Sequence, residues 1–547
     1  MRTLLLATGL TLLASACSDT PAPLADPPVL KVTSPQRSLI QDHAGQITVT
    51  GTVAPNDKGV AVSKVMVNDV AAVVGTDGSF SAVITVKPGA TLIHTEATDA
   101  AGGIATDTRS VEAGTLQAQG TMIPNAVTAA LSTQAFAKIG DAAGPLIKAQ
   151  DFQALLAPMQ PMIHSGDANG PDCLYGRLYI DNLTMTDAKI QLTPVDGGLS
   201  FYAELDGLDV PGHMTYAVAC VDGQNQTDVS ASKVSISGTL LVSPDGMNGF
   251  TTQLVNQNVQ LEGLNITASG IPGTILDLIP LDSVIQYVAP KAAEMFMGPM
   301  MNKALGALGG PKQLNVLGKT IDVQVSPSAI TFTSTGGLVT LDTMMLIEGT
   351  ESSKGFIYTD NGMPNMDPGM GMQIGLADDL ANEMLSQLVA TGMLNLSMPA
   401  TAGTFDSNNI AMTSPPMISA DPTDGQMRLI LPDMMVTFTL KGQPVGKAAL
   451  NAKVDLEIVP ATGNDYAVAI KLGKPTIECD VLDDIPNQTE FTNKDLGRAV
   501  QLTLDSQITS IGALLGSIPL PAMAGLQMKD LSLSSDDGYV MMKGTLQ

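Results

Sequence analysis

The C-terminal stretch Asp495–Gln547, DLGRAVQLTLDSQITSIGALLGSIPLPAMAGLQMKDLSLSSDDGYVMMKGTLQ, decides which fold the sequence predicts. Its first part has apolar residues at every third or fourth position, which is the spacing of an amphipathic helix. These residues are Leu496, Val500, Leu504, Ile508, Ile511 and Leu515. A proline-containing segment at 517–521 then leads into two strand-like runs, at 526–533 and 539–546. Because a helix has one apolar stripe to bury, this order predicts a helix packed on a highly curved antiparallel sheet.

The same order of helix and strands recurs through the sequence after residue 114. Apolar periodicity predicts three further helices, at 123–155, 274–308 and 376–391. Strand-like runs with Gly-containing turns follow each of them. Residues 361–372, rich in Gly, Pro, Asn and Met, predict a linker between two halves. We therefore expect a duplicated architecture without residue-level repetition, with one tubular barrel at 115–365 and a second at 366–547.

The first seventeen residues have the features of a bacterial export signal. Arg2 precedes an apolar run at 4–13 that is too short to span a bilayer, and small residues at 14–16 precede Cys17. This ending resembles the lipobox of bacterial lipoproteins, which implies lipidation of Cys17 and a signal peptide at 1–17. Ala14 stands where Leu is usual, so ordinary signal-peptidase cleavage stays open as the alternative. Ser18 implies sorting to the outer membrane, on its periplasmic or surface face, with 18–28 as a linker.

The composition limits the ligands that the protein could bind. The formal net charge is −26, which disfavours nucleic acid and any binding mode that depends on a basic patch. Aromatic residues make up 3% of the chain, whereas it has 30 Met residues. Methionine is unbranched and polarizable, so an interior rich in it adapts to irregular contents such as acyl chains, although Met also fills gaps in ordinary cores.

Residues 29–113 have short alternating strands with turn signals every eight to twelve residues, which is typical of a small β-sandwich. The segments TDGSF at 76–80, Pro88-Gly89 and ATDAAG at 97–102 look like those of a bacterial immunoglobulin-like (Ig-like) module. The type is the accessory domain of glucodextranase-like proteins. The resemblance implies a spacer, with ligand binding as the alternative role.

The remainder of the chain resembles the tubular lipid-binding (TULIP) superfamily, which includes the bactericidal/permeability-increasing protein. The segment GLADDLAN at 375–382 looks like the helix that opens the second domain of that family. IPLP at 518–521 and DDGYV at 536–540 look like its closing strands, and GGLVTL at 336–341 matches the end of its first barrel. The resemblance implies two elongated barrels, each with a long helix on a curled sheet and an apolar slot for acyl chains between them.

The apolar faces of the predicted helices supply candidates for the walls of these slots. They are Ile275, Ile279, Met295, Met300, Leu380, Met384, Leu388, Leu504, Ile508 and Ile511. The alternative for each is a place in a solid core. A chain of charge −26 has no evident equivalent of the cationic tip of the bactericidal members. Phospholipid or another acyl lipid is therefore the expected partner.

Three cysteines follow Cys17. Cys173 and Cys220 both flank strand-like runs in one half of the chain, and an exported protein permits disulfides, so we expect them to pair. Cys479 would then be a free, buried thiol.

Neither a metal site nor an active site is expected. There is no CxxC, and Asx-Gly pairs such as those at 360–362 and 536–538 are ordinary turn formers. The four His residues lie outside any nucleophile-elbow or HExxH context. We therefore expect no metal, no cofactor beyond bound lipid as a ligand, and no enzymatic activity.

Two functions remain to be distinguished. The first is a membrane-anchored lipoprotein that binds acyl lipids in its slots, with transfer between membranes as an extension. The second is a surface adhesion or scaffold protein whose Ig-like domain binds glycan or protein. The identity of the lipid and the oligomeric state are left open by the sequence.

Overall fold

The computed structural model shows a multi-domain, mostly β protein with few helices in its described part. The described residues are 26–170, 173–279, 281, 284–306, 308, 313–316, 319–350, 352–360, 362–392, 394–399, 407–420, 427–461, 467–482, 517–519, 526–536 and 538–547. The predicted signal peptide with Cys17 and the predicted closing helix with Leu504, Ile508 and Ile511 lie outside these residues.

The N-terminal module is a β-sandwich of two sheets, with strand orders β1-β3-β7-β6 and β2-β9-β8-β4-β5. Its strands are β1 (Val29–Ser34), β2 (Leu39–Gln41), β3 (Gly45–Ala54), β4 (Val62–Val67), β5 (Val70–Ala71), β6 (Val73–Val74), β7 (Ser79–Val86), β8 (Gly89–Asp99) and β9 (Ile104–Ala113). In β7, Phe80, Ala82, Ile84 and Val86 are buried while the residues between them are exposed. The buried residues of both sheets form one core between them, which confirms the predicted β-sandwich.

The first half of the remaining chain contains a half-barrel sheet covered by helices. Its elements are β10 (Thr115–Gln117), β11 (Ile123–Ser132), α1 (Thr133–Lys148), α2 (Phe152–Leu156), β12 (Ile163–Gly166), β13 (Tyr175–Ile180), β14 (Asp187–Val195), β15 (Gly198–Val218), β16 (Val221–Pro244), β17 (Phe250–Glu262), β18 (Asn265–Thr267), α3 (Gly273–Leu278), α4 (Val284–Gly306), β19 (Gln313–Val316), β20 (Lys319–Thr333), β21 (Gly336–Ile347) and β22 (Phe356–Tyr358). The half-barrel has the order β12-β13-β15-β16-β17, with β14 also paired to β15 and β18 to β16. Helix α1 packs on β14, and α4 packs on β16 and β17.

Helix α1 begins where Ser132 caps it and lies unusually close to the sheet. The Ser132 hydroxyl accepts a hydrogen bond from Ala135 N at 3.3 Å, which satisfies a free amide of the first turn. Gly140 and Gly144 face the backbone of β14. A Cβ atom on Gly144 would lie 2.2 Å from the Ala188 carbonyl oxygen, so only glycine permits this approach. The glycine serves close packing, and α1 continues past it and Pro145 to Lys148.

The predicted helix at 123–155 is wrong in its first ten residues, which form strand β11. The strand is buried along most of its length, so its apolar run shows neither a clear two-residue nor a clear helical period. It lies at the centre of a seven-stranded sheet with the order β19-β20-β21-β11-β23-β33-β32. Pairing on both edges therefore overrides the helical propensity of its alanines.

The second half of the chain contributes strands to this central sheet and forms another half-barrel sheet. Its elements are β23 (Met372–Ala377), α5 (Asp378–Ala390), β24 (Leu396–Pro399), β25 (Ser407–Ala411), β26 (Met417–Ala420), β27 (Met427–Leu440), β28 (Gln443–Pro460), β29 (Ala467–Leu472), β30 (Thr476–Val481), β31 (Ser517–Pro519), β32 (Met528–Asp536) and β33 (Tyr539–Leu546). The half-barrel has the order β24-β25-β27-β28-β29-β31, with β26 paired to β27 and β30 to β28. Repetition of one tubular design in both halves stays a prediction.

A disulfide joins Cys173 to Cys220, as predicted, with a sequence separation of 47 residues. It ties the segment before β13 to the tip of the hairpin formed by β15 and β16. Cys479 is free and buried, also as predicted. Within the described part of the chain, no helix combines the length and the apolar character needed to cross a membrane.

Candidate functional site

An apolar cavity lies in the first half, between the helices and the inner face of the half-barrel. Its volume is about 30 Å³. Ile147, in the last turn of α1, lines the cavity together with Phe296 and Met297 of α4. The other lining residues, from the sheet, α2, α4 and the connections between them, are Phe152, Leu183, Met185, Ile190, Phe201, Ala203, Leu205, Leu208, Ile236 and Ala293. A cavity with such walls offers water no hydrogen bonds, so an apolar ligand is its natural occupant.

A polar pocket of about 390 Å³ adjoins this cavity, and we call it the vestibule. Phe152, Leu183 and Met185 line both spaces and therefore form the partition between them. Phe152 and Leu183 are buried, whereas Met185 is half-buried. The remaining vestibule residues are Lys148, Gln150, Asp151, Gln153, Asn182 and Thr184. The two spaces together therefore form an apolar interior with a wet, polar mouth.

Local hydrogen bonds position the polar groups of the vestibule. The Asp151 carboxylate accepts from Ala154 N at 3.1 Å and caps α2. The Asn182 side chain accepts a hydrogen bond from Leu183 N at 2.8 Å, which positions the backbone of this partition residue. Lys148, at the exposed end of α1, forms no salt bridge within the part of the chain that the structure describes. One cation, Lys148, and one capped carboxylate, Asp151, thus line the vestibule.

The described slot candidates of the first half belong to the same core cluster as the cavity walls but do not line the cavity. Ile275 and Ile279, in and directly after α3, are fully buried against Gly176 of β13. Met300 of α4 is buried in the main core, one turn beyond Phe296 and Met297. The side chain of Met295 lies outside what the structure describes. The sequence thus pointed to α4, but the face that reaches the cavity is the one with Ala293, Phe296 and Met297.

The candidates on α5 are distributed over two separate clusters. Leu380 belongs to the main core. Leu388 packs with Ile321 and Ile347 in a small cluster that Met384 also contacts. They line neither the apolar cavity nor the vestibule.

The buried face of α5 is largely polar. Glu383 is fully buried, and its carboxylate accepts from Gly120 N at 2.9 Å and from Met345 N at 3.1 Å. Gln387 accepts from Ile347 N at 2.6 Å and donates to the Met345 carbonyl oxygen at 2.7 Å. Burial raises the pKa of Glu383 to about 7, although both backbone bonds oppose this. This helix is therefore fastened to β21 by hydrogen bonds, a role its apolar stripe did not reveal.

Comparison with known proteins identifies the first module. Residues 28–115 match the family model for glucodextranase domain B. The N-terminal module is thus Ig-like and similar to that domain. No curated protein matches the chain.

Two solved structures are similar to the chain at low scores. The first is the crystal structure of a lipopolysaccharide binding protein, with 16% identity and a TM-score of 0.36 over 78% of this chain and 99% of that one. The second is P47 of Clostridium botulinum E1, with 9% identity and a TM-score of 0.28 over 78% of this chain and 100% of that one. The proposals that follow rest on the residues of the chain itself.

Proposed function

We propose that the protein binds an acyl lipid, with a hydrocarbon chain in the apolar cavity and the polar head in the vestibule. The observation that carries this proposal is the contact between the two spaces across Phe152, Leu183 and Met185. An amphiphile needs a dry region and a wet region next to each other. Its head then stays hydrated at the mouth, which avoids the cost of burying a polar group without partners.

Burial of the ligand's hydrocarbon chain would supply most of the binding free energy. Each methylene group moved out of water contributes about 0.8 kcal/mol, so ten of them would contribute about 8 kcal/mol before any cost of opening. At about 30 Å³ the cavity must widen to take a chain. Phe152, Phe296 and Met297 line it on the helical side, and an unbranched methionine re-packs with little strain. Entry therefore requires α2 and α4 to move outward from the sheet.

The proposed role is binding and carriage, without chemistry on the ligand. The described residues of the cavity wall are aliphatic, aromatic or thioether side chains. Such groups supply neither a nucleophile nor a general base. We further propose that Cys17 carries a lipid anchor that holds the protein at the bacterial envelope, on the strength of the sequence before it. Mass spectrometry of the membrane-extracted protein and of a Cys17→Ser variant tests the anchor.

Uptake of a fluorescent phospholipid and native mass spectrometry of the purified chain lacking residues 1–17 test the binding. The Ala293→Leu substitution adds bulk inside the cavity, and Ala137→Leu adds the same bulk on the exposed side of α1. We expect the wild type and Ala137→Leu to take up lipid and Ala293→Leu to take up much less. Overpacking costs about 1–3 kcal/mol, so circular dichroism must first show that the variant is folded. Equal uptake by both variants, or none by the wild type, would contradict the proposal.

The adhesion alternative stays a prediction. It separates from lipid binding because it places the ligand on the Ig-like module, far along the chain from Phe296. Glycan or protein binding that survives Ala293→Leu while lipid uptake is lost would show both activities in one chain.

A further inference from the structure

The Ig-like module packs against the second half-barrel through a buried network of charged and polar groups. Arg37, in the turn between β1 and β2, donates to Asp433 at 3.1 Å and to Asp480 at 3.1 Å. Asp433 lies at an irregularity of β27, and Asp480 lies in β30. The same guanidinium also contacts Asp107 of its own module at 3.1 Å. One arginine therefore bridges three carboxylates on both sides of the interface.

Backbone amides of the module complete the network. Asp433 accepts from Ser38 N at 2.7 Å, from Ser110 N at 3.0 Å and from the Ser110 hydroxyl at 2.8 Å. Asp480 accepts from Thr108 N at 2.8 Å. Ser110 and Asp433 are fully buried. The amides of Thr108 and Ser110 on β9 thus donate to side chains of the second half-barrel.

Asn451 of β28 joins the two sides a second time. Its side-chain amide donates to the Thr108 carbonyl oxygen at 2.9 Å and to Asp433 at 3.0 Å. Its side-chain oxygen accepts from Asp433 N at 2.8 Å. Next to it, the His94 ring lies 2.9 Å from the Thr108 hydroxyl. These directed hydrogen bonds hold the docked module in a defined orientation on the second half-barrel.

The interface contains more acidic than basic groups. Arg109 pairs with Asp107 at 2.8 Å and also donates to backbone oxygens within the module. Arg37 is then shared between Asp433 and Asp480.

Glu112 adds a fourth carboxyl group to the interface. It is fully buried, and the Ser414 hydroxyl is the hydrogen-bonding group beside its carboxyl group. The charges that act on Glu112 are those of Asp433 and Lys354. Four carboxyls against two guanidinium groups leave an excess of buried negative charge, which is costly in a medium of low polarity.

We propose that docking of the Ig-like module is a proton-dependent latch, closed when carboxyl groups of this interface are protonated and weakened as they ionise. Glu112 and Asp480 are the proton acceptors. This inference does not depend on the proposed lipid binding.

The pKa values give the direction in which docking changes with pH. Burial raises the pKa of Glu112 to about 8 and that of Asp480 to about 7, and Arg37 opposes the second shift without cancelling it. Exposed groups of these types have pKa values of about 4. Acids whose pKa is raised on docking favour the docked form at low pH. The stabilisation is complete below pH 4 and is lost as the pH rises to about 8.

Hydrogen exchange of the full chain, read by mass spectrometry with fragmentation over residues 104–113, tests the latch. The amides of Thr108 and Ser110 report docking, and those of β7 in the opposite sheet report unfolding of the module. After correction for intrinsic exchange, we expect protection of the docking amides to fall about 1,000-fold from pH 6 to pH 9, since a shifted proton contributes tenfold per pH unit. The β7 amides should change far less. Protection that is independent of pH or rises with pH would overturn the proposal.

Two variants test whether Glu112 and Asp480 bind the protons that stabilise docking. Glu112→Gln should reduce the change to about 10-fold, and Asp480→Asn should reduce it to roughly 100-fold, because each leaves the other acid in place. Asp57→Asn, an exposed change on the same module, should leave it at the wild-type value. If both interface variants fold and keep the full 1,000-fold change, these residues do not hold the protons and the proposal is wrong. The wild-type measurement decides the matter if either variant fails to fold.

Discussion

Replacing Phe296 by alanine should lower the stability of the fold and raise the affinity for lipid. Phe296 is 7% exposed and lines the apolar cavity from α4. Removing a buried phenyl group costs about 3–5 kcal/mol of folding free energy. The space of six ring carbons can take roughly four methylene groups of a ligand, each contributing about 0.8 kcal/mol. If cavity size limits binding, the dissociation constant should fall by roughly two orders of magnitude, because 1.4 kcal/mol corresponds to a factor of ten.

Phe332 of β20 provides a matched control. It is also 7% exposed and packs on Phe136 at a ring-centroid distance of 5.8 Å, and it does not line the cavity. Phe332→Ala should lower the melting temperature by a similar amount but gain no lipid affinity. The assay is the melting temperature with and without a saturating phospholipid, combined with titration of a fluorescent analogue. An equal lipid-induced rise in both variants would refute the assignment of this cavity as the chain-binding site.

Three further predictions concern the first half-barrel, α5 and the vestibule. The double variant Cys173→Ser, Cys220→Ser should lower the free energy of unfolding by up to about 4 kcal/mol, because the unfolded chain gains the entropy of an open loop of 47 residues. Urea midpoints of the wild type and the double variant would measure this loss. Glu383→Gln should remove one proton from the pH dependence of stability. With its pKa raised to about 7, the wild-type residue favours folding below pH 4.5 and loses up to about 3 kcal/mol by pH 8, whereas the variant should show no such loss in urea midpoints at pH 5 and pH 8. Lys148→Gln should weaken binding of phospholipid by less than about 1 kcal/mol, since the residue is exposed, and should leave binding of an uncharged long-chain alcohol unchanged in the same titration.

Local patterns sufficed for the elements whose partners are close in sequence. The alternation in β7 and the paired runs at 526–533 and 539–546 predicted strands that the structure contains. The segment of β11 was wrongly predicted as a helix because both of its partner strands, β21 and β23, lie more than two hundred residues further along the chain. A strand buried between such neighbours needs no alternation, and its alanines then suggest a helix.

The site was harder to predict because three distant segments build it. Phe152, Leu183 and Phe296 come from α2, a connection before β14, and α4. On α5, the spacing of Asp379, Glu383 and Gln387 follows one helical face as regularly as the leucines do. The predicted candidates came from the apolar stripe, whereas the polar stripe is buried and accepts hydrogen bonds from strand amides. A polar stripe with helical spacing is compatible with both solvent and a sheet edge, so periodicity alone cannot distinguish them.

The central sheet joins the two halves of the chain by strand pairing. Its strand β11 pairs on one edge with β21 of the first half and on the other with β23, which in turn pairs with the final strand β33. Cutting the chain between the halves would expose the amides and carbonyls of a buried strand edge, which costs free energy at each unpaired group. The central sheet, to which the first half contributes β11, β19, β20 and β21, therefore depends on the last strands of the sequence for its full set of strands. The second half-barrel, through Asp433 and Asp480, also holds the Ig-like module. The interface with the Ig-like module and the cavity thus belong to different sheets, and the central sheet is the one to which both halves contribute strands.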